Sequence, residues 1–392
     1  MKIALIHDYL TQQGGAERVF ELLCRHFPEA DIYTSIYSSQ TSIQISENDN
    51  RPIRTTRLQA IPGSAKYFRL LAPFYFSAFQ ALDLQEYDLI ISSTTGFAKA
   101  VQKRPDATHI CFCHNITRFL WDTNTYLKQY QSYKKLYPLI RPIFNRMRRA
   151  DLKHAQNPDL YVANSSIVAK RIEQTYHCPA TTVNFPIEAG NFVFSEKKDD
   201  FYLVSSRLIG YKRIDIIVEA FNWLGAPLLI IGSGPERDYL EAKALDNIAF
   251  LGHVSDSTRS HLMASAQAVI VAALEDYGLV PIEANASGTP VIAYGAGGVL
   301  DTQVPGKTGL FFTRQTPEAV QTAVTQAAQK TWNYSAIRDY ALSHFSEAVF
   351  FRQIDRIVDL ALDQSMPAIE ATETGINLDR KDSTIPQKIM RI

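Results

Sequence analysis

Strand-like and helix-like segments alternate along almost the whole chain, and the alternation runs twice. Short apolar stretches stand at Lys2 to His7, Ala30 to Thr34, Leu89 to Ser92, His109 to His114 and Leu160 to Ala163. A second series follows at Tyr202 to Ser205, Leu228 to Ile231, Ile248 to Leu251, Ala268 to Val271 and Val291 to Ala293. Strands separated by helices cannot pair as hairpins, so they build parallel sheets covered by helices on both faces. The expected class is therefore α/β, as two Rossmann-like, doubly wound parallel-sheet domains facing across a cleft. Asn184 to Asp200, with Pro186, Gly190 and the cluster Glu196-Lys197-Lys198-Asp199-Asp200, reads as the linker. Domains are expected over residues 1–188 and 189–345, then a helix over 346–364 with Val349, Ile354, Ile357, Val358 and Leu360 apolar. The polar, aperiodic segment 365–392 is expected to be a disordered tail.

A chain of 392 residues has room for two full cores, and 46% hydrophobic with 20% charged residues is ordinary for a globular protein. Lys plus Arg and Asp plus Glu both number 40, so no overall field points to nucleic acid. Met1 to Ile6 runs straight into a strand-like segment without the apolar core of a signal peptide, and no apolar run approaches the ~20 residues that span a bilayer. A cytoplasmic protein is expected. Of the four cysteines, only Cys111-Phe112-Cys113 has suggestive spacing. It lies in a strand-like run with no second Cys/His pair at zinc spacing, so buried apolar side chains are the simpler reading.

In open α/β sheets ligands bind beyond the carboxyl ends of the strands, and the chemistry-bearing residues fall at such ends. Glu275-Asp276-Tyr277-Gly278-Leu279-Val280-Pro281-Ile282-Glu283 follows the strand-like Ala268 to Ala273, and Pro281 suits the first turn of a helix reaching Ser287. Gly278 lets the backbone approach a ligand, and the free N–H groups of the helix start face the same space. Such a site favours a phosphate or a hydroxyl-rich ligand. Glu275 and Glu283 stand about one nucleotide sugar apart, one able to hold a sugar and the other a ribose; acids complementing a helix dipole are the plainer alternative.

From Glu275 through Gly298, including Ala284-Asn285-Ala286-Ser287-Gly288-Thr289-Pro290-Val291-Ile292-Ala293-Tyr294-Gly295-Ala296-Gly297-Gly298, the chain resembles the signature of retaining GT-B glycosyltransferases of family 4. Its core is two acids separated by seven residues. The resemblance implies the GT-B fold, with a C-terminal domain that binds a nucleotide-diphosphate sugar, an N-terminal domain that binds the acceptor, and a last helix packed back across the N-terminal domain. It implies that Glu275 holds sugar hydroxyls, that Glu283 holds the ribose, and that Gly278 and Leu279 border the donor.

Breaking the bond from anomeric carbon to phosphate builds negative charge on the diphosphate, which needs cations or backbone dipoles. Ser205 to Asp215 supplies Arg207 and Lys212 in a short loop between a strand and a helix. A solvated basic loop is the alternative; the segment resembles the family's phosphate-binding stretch, which implies that role for both residues and leaves Arg213 structural. Gln12-Gln13-Gly14-Gly15-Ala16-Glu17-Arg18 opens a helix after the first strand. A glycine pair is usually only a turn, yet here it resembles the family's first-strand loop, which implies that Gly14 and Gly15 face the diphosphate or the acceptor.

Gly232-Ser233-Gly234-Pro235-Glu236-Arg237 imitates a dinucleotide fingerprint, but Arg237 stands where the third glycine belongs and no acid is clearly placed ~20 residues on. Gly232 and Gly234 therefore read as donor-side glycines, with His253 and Val254 bordering the nucleobase. A histidine at a strand end beside a cleft, as His114 is, can donate to a sugar hydroxyl or move a proton, though one bonded to backbone is as common. The block His114 to Asp122 resembles bacterial mannosyltransferases of surface-polysaccharide assembly. That likeness implies that His114 contacts the donor sugar and that Arg118, Trp121 and Asp122 shape the acceptor side. GDP-mannose is the first expectation for the donor and UDP-sugars the second.

The basic residues of 141–149, near Tyr126, Tyr130, Tyr133 and Tyr137, suit either solvent or an anionic lipid surface at the inner face of the plasma membrane. No Asp-x-Asp triplet occurs, so no metal and no other cofactor is expected. The expected activity is retaining hexosyl transfer to a glycan or lipid-linked acceptor in cell-surface polysaccharide synthesis. A GT-B-fold sugar-nucleotide epimerase, a non-catalytic sugar-nucleotide-binding subunit and an NAD-dependent oxidoreductase are the alternatives.

Overall fold

The computed structural model describes residues 1–38, 51–122 and 137–363. Tyr126, Tyr130, Tyr133 and the expected disordered tail lie outside them. The first half builds a seven-stranded sheet from β1 (Ile3–His7), β2 (Asp31–Thr34), β3 (Ile53–Thr55), β4 (Leu89–Thr94), β5 (Thr108–Cys113), β6 (Leu160–Ala163) and β7 (Ala180–Thr182). Every pairing is parallel, in the order β3-β2-β1-β4-β5-β6-β7. The second half builds a six-stranded parallel sheet from β8 (Tyr202–Ser205), β9 (Leu228–Ile231), β10 (Ile248–Gly252), β11 (Val269–Val271), β12 (Val291–Tyr294) and β13 (Gly309–Phe312), ordered β10-β9-β8-β11-β12-β13. In both sheets the strand order reverses once, between β1 and β4 and between β8 and β11. The loops leaving those strands flank the two crevices where such folds bind ligands.

β4 and β5 are buried along their whole length, as central strands covered on both faces must be. The helix Gly15–His26 lays Val19, Phe20, Leu22 and Leu23 on the first sheet. Ser346 separates the helices Tyr334–Phe345 and Glu347–Leu362. The last helix sends Phe350, Ile354, Ile357 and Val358 into the same core as Leu5, Leu23 and Val162, so the end of the chain returns to the first sheet. Ion pairs from Arg25 to Glu347 (3.3 Å) and from His26 to Asp355 (2.6 Å) trim that contact.

The two halves share apolar packing. Tyr277, Ile282 and Ala286, on and just before the helix Leu279–Ala286, belong to the first sheet's core. That helix is wedged between the domains and carries the acidic run with it. Inside the first domain, Lys99 pairs with Asp151 at 2.7 Å with both side chains buried, and Asp151 also accepts from Thr117 Oγ1 (2.9 Å), Tyr176 OH (2.9 Å) and Trp121 Nε1 (2.6 Å). Each oxygen of this carboxylate is satisfied, which is what permits a charge at that depth.

Candidate functional site

The left-handed φ of +86° at Gly278 turns the chain from the loop after β11 into the helix Leu279–Ala286, a conformation disfavoured for residues with a side chain. Glu275 and Lys212, both of the second domain, meet as a half-buried ion pair. Tyr211 ties the second cation to the first: Arg207 Nη2 donates to its hydroxyl at 3.2 Å, and Lys212 Nζ stands 5.1 Å from its ring centre. Arg207 is exposed. Arg213, at φ +53°, instead grips Asp215 at 3.1 and 3.3 Å and takes no part in this group.

Glu283 lies one turn deeper and is 4% exposed. Its Oε2 accepts from Arg259 Nη1 at 2.6 Å, and its Oε1 stands 3.9 Å from Arg18 Nη1. Gly15 faces Leu279 across the domain boundary, so close that a methyl group on residue 15 would touch Leu279 Cδ1 at 3.7 Å. Gly15, Arg18, Leu279, Glu283 and Arg259 line one groove between the domains. Of the two acids, Glu283 lines this groove, while Glu275 stands at the other end of the turn and helix, paired with Lys212.

Gly232 and Gly234, expected as donor-side glycines, lie in close backbone packing. A Cβ on residue 232 would stand 1.9 Å from the Ser206 carbonyl oxygen, and one on residue 234 would stand 2.2 Å from that of Leu208. The pair lets the loop after β9 press against the loop that carries Arg207, and so supports the cation from behind. His253 is exposed, while Val254 packs partly buried against the cluster containing Met263 and Val271.

On the opposite wall, the β5 end presents His114 and Asn115. Asp276, the residue after Glu275, collects three donors from the first domain: Asn115 Nδ2 (2.6 Å), Arg118 Nη1 (3.1 Å) and Arg171 Nη1 (2.5 Å). Ser165 Oγ reaches the Asp276 carbonyl at 2.5 Å, the Ser166 N–H reaches Asp301 at 2.7 Å, and Tyr277 OH donates to Phe185 O at 2.5 Å. The loop holding Glu275 is therefore pinned to both domains. Arg118, expected on the acceptor side, is engaged here and with Asp122 at 3.7 Å. Trp121 spends its indole N–H on buried Asp151, which leaves only its ring for a ligand.

Sequence reasoning missed Asp276, Arg171 and Arg259 as site residues. Asp276 stood inside the acidic run, but nothing marks an acid as a domain pin until its partners are known. Arg259 lies in the polar helix Asp256–Ser265, with no local pattern to distinguish it. Among the described residues, no three His, Cys, Asp or Glu side chains cluster as a metal site, and none of the four cysteines is in a disulfide.

Two parallel sheets with single order reversals, facing each other across a seam lined from both sides, define the GT-B architecture. The family model described as Glycosyltransferase Family 4 matches residues 13–184, and that described as Glycosyl transferases group 1 matches residues 189–343. The chain belongs to the GT-B glycosyltransferases of family 4. Among similar proteins, an uncharacterized glycosyltransferase of Methanocaldococcus jannaschii is 28% identical over 158 residues, 38% of this chain and 40% of that one. A GDP-mannose-dependent alpha-(1-6)-phosphatidylinositol monomannoside mannosyltransferase of Mycobacterium tuberculosis is 32% identical over 139 residues, 31% of this chain and 36% of that one. The chain thus spans about two-fifths of the length of these curated relatives. Anabaena HepE in complex with UDP superposes with a TM-score of 0.68 at 18% identity, over 92% of this chain and 100% of that one. Sucrose-phosphate synthase from Thermosynechococcus elongatus gives 0.65 at 16% identity, over 92% and 99%. At these identities the structural likeness is one of fold.

Proposed function

We propose that this glycosyltransferase moves a hexosyl group, mannose foremost, from a nucleotide-diphosphate sugar to a glycan or lipid-linked acceptor of cell-surface polysaccharide synthesis, with retention of configuration. The observation that carries the reading is the Lys212–Glu275 pair beside Arg207, one residue from Asp276, which bonds to the first domain. A cation and a carboxylate side by side are the two groups that a diphosphate and a sugar would each engage. The ammonium then turns to phosphate and the carboxylate to sugar hydroxyls. Glu283, held by Arg259, would receive the ribose, and the GDP-mannose dependence named for the mycobacterial relative favours that donor.

Transfer would be a front-face displacement. The acceptor hydroxyl oxygen bonds to the anomeric carbon on the face from which the diphosphate leaves, the carbon–oxygen bond breaks with its electron pair on the phosphate, and that phosphate takes the hydroxyl proton. Charge on the leaving group falls to Arg207, Lys212 and the helix start at Leu279, so no metal is needed. Peripheral contact with an anionic membrane at the inner face of the plasma membrane fits the exposed Arg141, Arg146 and Arg149. No helix among the described residues is long and apolar enough to cross a membrane.

The test is incubation of the purified protein with GDP-mannose or a UDP-sugar and a lipid-linked acceptor extract, followed by anomeric assignment of the product by NMR. An α-linked product from an α-linked donor supports the reading. An inverted product removes retention, and epimerised nucleotide sugar formed without acceptor replaces transfer by epimerisation.

A further inference from the structure

A chain of buried polar groups runs from the first-strand loop to the cleft. Glu17 is 4% exposed, His7 2%, Ser93 0% and His114 7%. Glu17 Oε1 stands 3.9 Å from His7 Nε2, His7 Nδ1 lies 3.1 Å from Ser93 Oγ, and Ser93 Oγ lies 2.7 Å from His114 Nε2. Aromatic neighbours hold both rings, His7 stacked on Phe20 at 4.8 Å and His114 tilted against Phe185 at 4.9 Å. His114 Nδ1 has no hydrogen-bond partner among the described residues.

Gly14 belongs to this device. A Cβ at residue 14 would stand 2.8 Å from Glu17 Oε2, so a glycine is what lets the carboxylate fold back over its own helix start. There it also accepts from Gln12 Nε2 at 3.1 Å. Burial pushes the Glu17 carboxyl up, but the His7 ring and Gln12 outweigh it and hold the group below its ordinary value, ionised at neutral pH. Burial, with His7 adding to it, pushes the His114 imidazole down to about 3, so that ring is neutral, with one donor nitrogen and one acceptor.

Ser93 has one proton to give, and the chain has two consistent directions. In one, His114 Nε2–H donates to Ser93 Oγ, Ser93 donates to His7 Nδ1, and His7 Nε2–H faces the Glu17 carboxylate. In the other, Ser93 donates to His114 Nε2, His7 Nδ1–H donates to Ser93, and the bare lone pair of His7 Nε2 faces a negative charge. Electrostatics selects the first. We propose that Glu17, His7 and Ser93 are positioning residues that fix His114 as its Nε2–H tautomer, so that His114 offers the cleft a hydrogen-bond acceptor at Nδ1. Such a nitrogen takes a sugar hydroxyl as donor and turns away a phosphate or carbonyl oxygen. This deepens the glycosyl-transfer reading and rests on it for the hydroxyl's identity.

The test reads the tautomer itself, by nitrogen NMR of the full chain labelled with 15N-histidine, with His114→Gln used to assign the His114 signals. The wild-type protein is expected to show a protonated Nε2 and a bare Nδ1. Glu17→Gln supplies an amide N–H that suits a His7 Nε2 lone pair, and it should shift His114 toward the Nδ1–H form; Ser93→Ala should leave a mixture of both forms. In transfer assays Glu17→Gln should lower kcat/KM by about tenfold or more, since the wrong tautomer denies a sugar hydroxyl its acceptor. A wild-type His114 protonated on Nδ1, or a pattern unmoved in either folded variant, overturns the proposal. The NMR needs no substrate, so its failure leaves the glycosyl-transfer reading standing, and loss of that reading leaves the tautomer result intact.

Discussion

At the residue scale the site depends on charges that satisfy one another until a ligand arrives. Replacing Arg207, Lys212 or Glu275 by Ala should each cut kcat/KM about a hundredfold or more, the usual cost of losing a charge partner of the transition state. Near-wild-type turnover of a purified variant would strip that residue of its role. Glu283 is expected to behave differently because it also holds the fold. Glu283→Gln leaves Arg259 short of its partner, and since that arginine keeps 22% of its side chain exposed the loss should be about 2 kcal/mol, below the ~3–5 of a fully buried pair. Thermal unfolding should show it with no ligand present. The residues legible in the sequence were those in contiguous runs, such as Glu275 to Glu283 and Arg207 to Lys212. Arg259, Arg171 and Ser93 were not legible, because each gains its meaning from a partner distant in the chain.

At the scale of elements, strands buried on both faces declared themselves, and of the edge strands β3, β7, β10 and β13 only β10 did. β1, β4, β5, β8 and β9 are apolar because parallel sheets cover both their faces. The strands left unforeseen, β3, β7 and β13, all lie at sheet edges, and the first two are half-exposed Ile53-Arg54-Thr55 and Ala180-Thr181-Thr182, too short and polar for a periodic signal. Burial along β5 has a consequence for pH. Desolvation pushes His109, within that strand, down to about 3, as it does His114 at the strand's end. A histidine whose folded value is depressed leaves the unfolded chain binding more protons between pH ~6.5 and 3, so stability falls as pH drops through that window. Each contributes up to about 1.4 kcal/mol per pH unit. Denaturant melts from pH 7 to 4 should show this decline, and a folded His109→Gln variant should show a shallower one; equal slopes would place the acid sensitivity elsewhere.

At the scale of the whole molecule, one carboxylate joins the donor loop to the opposite domain. Asp276 draws Asn115, Arg118 and Arg171 to the residue next to Glu275, so any opening of the seam must pull on the loop that carries Glu275. Asp276→Ala should widen the molecule measurably in small-angle X-ray scattering and raise the donor KM, with the melting of each domain little changed; an unchanged scattering profile would show that apolar packing of Tyr277 and Ile282 holds the domains by itself. The two-domain pattern was plain in the sequence. The pin was not, since it joins residues more than a hundred positions apart. Binding of a sugar nucleotide through Lys212 and Glu275 is tested, without knowledge of the acceptor, by thermal unfolding across a panel of nucleotide sugars. A donor at about 100 times its dissociation constant should stabilise the wild-type protein by ~2.7 kcal/mol, with GDP-mannose foremost, and the Lys212→Ala variant should lose most of that gain. A protein indifferent to every nucleotide sugar, or a Lys212→Ala variant stabilised as fully as the wild type, would contradict it.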